Sequence, residues 1–279
     1  MSKLLVINAD DFAMTKPISS GIADLCRRQV VTSVSIVATT PALESSLDLI
    51  RDLDIDTGIH LTLNAGRPLF MYKNYPEFVD RDGDFWKTPM HNPWPYLTAS
   101  RSMQSAINDE FKMQIELLQY HGIKLTHLDS HFHIHLFPAL APIIKDLMRE
   151  YHIPYMRRPL GRSFFIDLQQ PLYGFITCSS YLCFRHEQIN SLSLYGFSEA
   201  GRLSEEYLKK ILNGMDIPVA ELIVHPGLES SDNKGYYAVI PTHLKKEFDA
   251  LTSLATQKYL SKFDIKSVRR QEIFNCLWK

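Results

Sequence analysis

Short apolar runs alternate with helical stretches in the first quarter of the chain, and this alternation constrains the fold more than any other feature. Residues 3–8 (KLLVIN) form a compact apolar run, 18–28 are patterned as a helix, and 30–38 (VVTSVSIVA) are rich in β-branched residues. A second helix is predicted around 41–52 and a third strand over 57–63 (TGIHLTL). Strands separated by helix-length connections pair in parallel, because the crossover returns each strand to the same end of the sheet. The predicted class is therefore α/β, built on a parallel sheet or barrel.

Further along, residues 64–97 break the pattern with five prolines, two glycines and several aromatics. Such a loop-rich insertion after a strand is a common place for a substrate site. A helix is predicted near 101–121, with Met103, Ile107, Phe111, Ile115 and Leu118 on one face and Gly122 as its cap. Then come a strand at 125–131, a helix near 138–151, a helix at 204–213, a strand at 219–225 and a last amphipathic helix near 242–260. Residues 155–200 give no clear assignment. No repeat or linker divides the chain, so residues 1–279 are read as one domain with an insertion near 64–97.

Partners are narrowed by charge. The net charge is −1, which leaves no excess of Lys and Arg to neutralise phosphates, so nucleic acid is not expected. The four cysteines, Cys26, Cys178, Cys183 and Cys276, lack the spacing of a zinc knuckle or redox motif and read as reduced thiols. No stretch approaches the ~20 apolar residues of a membrane span. Residues 4–7 are too short for a signal-peptide core. A cytoplasmic protein that does not enter a membrane is expected.

Polar residues cluster where predicted strands end, which is where parallel α/β folds bind ligands. Asn8-Ala9-Asp10-Asp11 follows the first strand. Adjacent carboxylates diverge on an extended backbone, so one can hold a metal while the other acts as a base; an Asp pair can also simply cap a helix. His60 interrupts the apolar run Ile59-Leu61-Leu63, where a lone histidine is often just a core residue. The string His127-Leu128-Asp129-Ser130-His131-Phe132-His133-Ile134-His135 would put its polar residues on one face if extended. That pattern is hard to explain by packing and suits a metal, although the run is too long for every histidine to reach one ion. His225-Pro226-Gly227 ends the late strand, where a titrating group can serve a leaving amine. Together these outline a mononuclear hydrolase. There is no Gly-rich phosphate loop, nucleophile elbow or dinucleotide fingerprint.

The strings NADDF (8–12), VTS (31–33), GIHLTL (58–63), THLDSHFHIH (126–135) and HPG (225–227) resemble, in order, those of the YdjC-like carbohydrate deacetylases. THLDSHFHIH is the specific element. Ala13 departs from the glycine usual there. The resemblance implies an irregular (β/α) barrel-like fold with a mainly parallel sheet and a divalent metal, Mg2+ with Zn2+ as the alternative. It matches Asp11, His60 and His131 to the metal ligands, Asp10 to the base and His225 to the acid. It further implies N-acetylated oligosaccharides such as chitobiose as substrates, and a homodimer. Two other functions fit the residues. A metal-dependent phosphoesterase would need a cationic clamp, for which Arg157 and Arg158 are the obvious pair. A non-catalytic sugar-binding protein would need the aromatics of the insertion (Phe70, Tyr72, Tyr75, Phe85, Trp86, Trp94) but not Asp10 or His225.

Overall fold

A computed structural model describes residues 3–70, 75–86, 92–159, 171–197, 200, 203–231, 243–253, 258, 260–261, 265–270 and 272–273. The strands are β1 (Lys3–Phe12), β2 (Ser33–Ile36), β3 (Asp56–Leu61), β4 (Leu125–Ser130), β5 (Ser193–Tyr195), β6 (Val219–Val224) and β7 (Ile265–Ser267). They form one sheet in the order β4-β3-β2-β1-β6-β5, with β7 against the start of β1. Every ladder is parallel, so all strands end on the same side.

The sheet curls toward closure through residues 155–156. Met156 bridges to Leu128 of β4 and Tyr155 to Asn190, just before β5. Leu128 N donates to Tyr155 O at 2.9 Å, Arg157 N to Leu128 O at 3.1 Å, and Met156 N to Asn190 O at 3.2 Å. This two-residue splice joins the sheet's two outer strands, and the result is the irregular (β/α) barrel-like architecture expected.

Helices α1 (Lys16–Arg27), α2 (Leu43–Leu47), α3 (Trp94–Leu97), α4 (Arg101–Tyr120), α5 (Ala141–Glu150), α6 (Pro171–Phe184), α7 (Glu205–Gly214) and α8 (His243–Thr252) surround the strands. Their sequences explain their limits. Thr15 caps α1 by accepting from Ile18 N, and Ser100 caps α4 by accepting from Met103 N. Ile107, Phe111, Ile115 and Leu118 of α4 are buried, while Met103 is half-buried. Each fully buried aliphatic or aromatic chain contributes about 1.5–3 kcal/mol. Gly122 follows α4 at φ +77°, the left-handed cap that glycine adopts most easily.

Five elements had no counterpart in the sequence reading: α3, α6, β5, β7 and the 155–156 splice. In the last predicted helix, Leu244 and Leu251 are buried and Phe248 half-buried, while Ala255 and Tyr259 lie outside the described residues. The insertion folds back on itself through a Val79–Phe85 bridge, with Phe78, Phe85 and Tyr96 buried. Among the described residues no helix is long and apolar enough to cross a membrane.

Candidate active site

β1 continues to Phe12 although Asn8, Asp10 and Asp11 are poor strand formers, because these side chains meet partners inside the barrel. Asp10 lies in β1 where the pairing with β2 turns irregular between Ala9 and Phe12. Its Oδ1 accepts from Asn8 Nδ2 and Arg157 Nη2, both at 2.8 Å, and its Oδ2 from Arg157 Nη1 at 2.7 Å. Asp11 then turns to φ +62° and sends its carboxylate elsewhere. Ala13 also sits at φ +69°, the conformation a glycine would take without its Cβ clash. The turn is nevertheless kept, with Ala13 N donating to Ser19 Oγ at 2.9 Å.

Asp11 meets two imidazoles. Its Oδ1 lies 2.9 Å from His131 Nδ1 and 3.3 Å from His60 Nε2. One donor atom from each of the three residues lies within 4.8 Å of the others, and all three side chains are buried. Burial alone would push the Asp11 carboxyl up, but His131 and His60 outweigh it and hold it well below the usual range. On His60, burial opposes a charge, yet Asp129 and Asp11 raise its pKa to about 10. One carboxylate and two imidazoles converging on a cavity make a group that can hold a divalent metal ion.

His60 is oriented from behind, its Nδ1 lying 2.7 Å from Asp129 Oδ1. Asp129 Oδ2 takes Ser35 Oγ at 2.7 Å and pairs with Arg157 Nη2 at 2.8 Å. Burial raises the Asp129 carboxyl, and Arg157 with His60 more than reverses that. Asp10, His60 and Asp129 form a second cluster of ligand-type atoms, but there the positive partner is already the Arg157 guanidinium. Beside it, Gly58 makes room for the His127 ring: a Cβ at Gly58 would lie 2.4 Å from it. Deeper still, Glu221 Oε1 accepts from Arg157 Nε at 3.0 Å and from Arg270 Nη2 at 2.7 Å. Asp10, Asp129 and Glu221 thus face two buried guanidiniums (Arg157, Arg270), and the buried Asp11 faces only imidazoles among the ion pairs named. The excess negative charge fits a divalent cation at Asp11, His60 and His131.

β4 does not extend through the histidine string as a single face. It ends at Ser130, and residues His131–Leu136 coil into a 3-10 turn with Phe132 at φ +54° and His133 at φ +55°. Such backbone costs about 1–3 kcal/mol per residue and persists only where its surroundings enforce it. His131 and His133 line the cavity. His135 lies behind it instead, joined to Ser130 Oγ at 2.6 Å and Arg157 O at 2.9 Å. His225, just past β6, reaches the cavity with Nε2 3.7 Å from Asp10 Oδ2. Its backbone N donates to Glu247 of α8 at 2.6 Å.

The cavity at the strand ends is lined by Asp10, Asp11, His60, His131, His133 and His225, so the five singled-out site residues meet there. Phe132, Tyr173, Ile176 and His243 also line it, and none of these was anticipated as a site residue. Arg157 and Arg158 do not. Arg157 is fully buried and held by three carboxylates, and Arg158 lies 5.7 Å from the Phe184 ring. Nor do the described insertion aromatics: Phe70, Tyr75, Phe85, Trp86 and Trp94 are all absent from the wall, and Tyr72 lies outside the described residues.

Comparison with known proteins gives consistent likenesses. The sequence profile described as YdjC-like protein matches residues 4–262. A carbohydrate deacetylase of Brevibacillus brevis is 30% identical over 227 residues, 80% of each chain. One from Clostridium beijerinckii is 25% identical over 279 residues, covering 96% of this chain and 99% of the relative. One from Vibrio cholerae is 34% identical over 157 residues, 54% of this chain and 57% of the relative. A crystal structure from Enterococcus faecalis V583, named provisionally as a cellobiose-phosphate cleavage protein, superposes with a TM-score of 0.76 at 22% identity. It covers 98% of this chain and 99% of its own, and it shares the fold.

Proposed function

The chain belongs to the YdjC-like protein family, and from that premise and its cavity we propose that it is a metal-dependent carbohydrate deacetylase acting on N-acetylated oligosaccharides such as chitobiose. The observation that carries the proposal is the meeting of Asp11, His60 and His131 with Asp10 and His225 on one cavity.

Asp11, His60 and His131 would hold the ion, Mg2+ by family resemblance with Zn2+ as the alternative, and it would supply Lewis acidity toward the acetyl carbonyl and the attacking water. Asp10 is the base. Arg157 and Asn8 occupy three of the four lone-pair directions of its carboxylate, and Oδ2 keeps one toward His225 and the cavity. Arg157 fixes the carboxylate so that it accepts the water's proton without rotating. As the C–O bond forms and the C–N bond breaks, His225 gives a proton to the departing amine. The products are acetate and a free amino sugar. Asp129 orients His60 through its Nδ1, leaving Nε2 for the ion.

A phosphoesterase would need cations at the cavity, and no Lys or Arg is among the described lining residues. A pure sugar-binding protein would have no use for Asp10 and His225 facing each other. The test is acetate release from chitobiose, chitotriose and N-acetylglucosamine with added Mg2+ or Zn2+. Metal-dependent release that stops with chelator is expected; phosphate release from sugar phosphates instead, or no product at all, overturns the reading. By resemblance the protein is also a homodimer, which light scattering checks.

A further inference from the structure

Among residues 131–136 only Phe132 stands out of the protein. It is 40% exposed, whereas His131, His133, Ile134, His135 and Leu136 are buried. A bulky side chain rarely sits at φ +54°, and the next residue, His133, is left-handed too. Without a Cβ, glycine would take that backbone easily. The chain instead holds an aromatic ring there, at the cavity wall and edge-on to His131, with centroids 4.7 Å apart. The described wall includes the polar Asp10, Asp11, His60, His131 and His225. It also includes the apolar Phe132 and, from α6, Tyr173 and Ile176.

Resting on the deacetylase reading, we infer that Phe132 is a specificity-determining platform on which the acetamido-bearing pyranose ring stacks. Only the amide nitrogen separates the acetyl carbon from the sugar ring, so an acetyl group at His131 and Asp11 brings the ring against Phe132. The C–H face of a pyranose is apolar and matches the electron-rich face of an aromatic ring. The left-handed turn aims His131 at the reaction and Phe132 at the sugar from adjacent positions. The described insertion aromatics, absent from the wall, do not compete for this role.

The test uses the full chain with metal in an Asp10→Asn background, so that binding is read without turnover. Chitobiose and the acyclic acetamide N-acetylethanolamine are titrated calorimetrically against Phe132, Phe132→Leu, Phe132→Gly and Phe132→Trp. Glycine fits the backbone already present, so that variant removes the ring without forcing the turn. Stacking predicts that Leu and Gly weaken chitobiose binding roughly tenfold, that Trp stays within about twofold, and that the acyclic amide changes far less. Chitobiose binding as tight in Phe132→Leu as in the parent, or equal losses for both ligands, overturns the inference. If the parent enzyme releases no acetate yet binds chitobiose through the ring, the deacetylase reading falls and the platform stands.

Discussion

Asp10 and Asp11 show how far one φ angle can divide two identical side chains. Both lie where the β1–β2 pairing is irregular; Asp10 faces Arg157, while Asp11, at φ +62°, faces His60 and His131. Asp10→Asn keeps one acceptor for Arg157, so the fold and the metal site should survive while acetate release falls by ~10²–10⁴-fold. Near-parental turnover with metal bound would move the base elsewhere. His225→Ala should slow sugar deacetylation more than hydrolysis of acetanilides with better leaving groups; equal loss for both would make His225 structural. His131 and His135 should separate as well. His131→Ala should abolish calorimetric metal binding, whereas His135→Ala should mainly lower thermal stability, since it strands the Arg157 carbonyl and leaves Ser130 Oγ only the backbone N of residue 135. At this scale Asp10, Asp11, His60, His131 and His225 were legible because each is a polar residue at or near the end of an apolar strand. The Asp10–Arg157 pair was not, since 147 positions separate its members and nothing in either neighbourhood names the other. Arg157 read instead as a phosphate clamp. Phe132 was passed over because alternation in a strand treats it as a spacer, and only the break at Ser130 turns it outward.

Among the elements, those with clear periodicity were found and those shaped by neighbours were not. β1 read as ending at Asn8, because local propensity disfavours Asp in a strand; the buried partners of Asp10 override that preference. α6 (PLYGFITCSSYLCF) is apolar nearly all round, with Phe175, Tyr181 and Leu182 exposed, so no helical stripe marks it. β5 and β7 are three residues each, and the 155–156 splice is shorter still, below what a pattern can register. That splice nonetheless sets Arg157 in place. Arg157→Met leaves Asp10, Asp129 and part of Glu221 without their cation, and should lower the unfolding free energy by about 3–5 kcal/mol, read from urea denaturation. A loss no larger than that of an exposed ion pair would mean that the network relaxes around the gap.

For the whole molecule, the buried charges predict a stability maximum bounded on both sides. Burial pushes the His135 imidazole down to about 4 and holds His127 and His133 well below their usual value. The unfolded chain takes up these protons below pH ~6.5 and the folded chain does not. Stability present above that pH is therefore lost as the pH falls toward 4, by roughly 3 kcal/mol from His135 alone. His60 works in the opposite sense. Its folded pKa is raised to about 10, so in chelator-treated protein its contribution is complete below pH ~6.5 and fades as the pH rises toward 10. Urea midpoints taken from pH 4 to 10 with chelator should trace a dome near pH 6–7. A flat profile would remove these histidines from the account, and added metal should hold up the alkaline limb.

The ionic floor of the barrel also imposes a timetable. Its members are written far apart in the chain: Asp10 bonds Arg157 147 residues later, and Asn8 bonds Arg270 262 residues later. A ribosome adds roughly 5–20 residues per second, so the earliest carboxylates wait several seconds to tens of seconds for the arginines that neutralise them. During that interval β1, β2 and β3 can pair, yet the acidic end of β1 has no permanent counterion. A nascent chain arrested after β6 would already hold Glu221 but still lack Arg270. Native closure of the barrel should therefore come late in synthesis, and arrested chains of increasing length should gain protease resistance abruptly once Arg270 has left the exit tunnel.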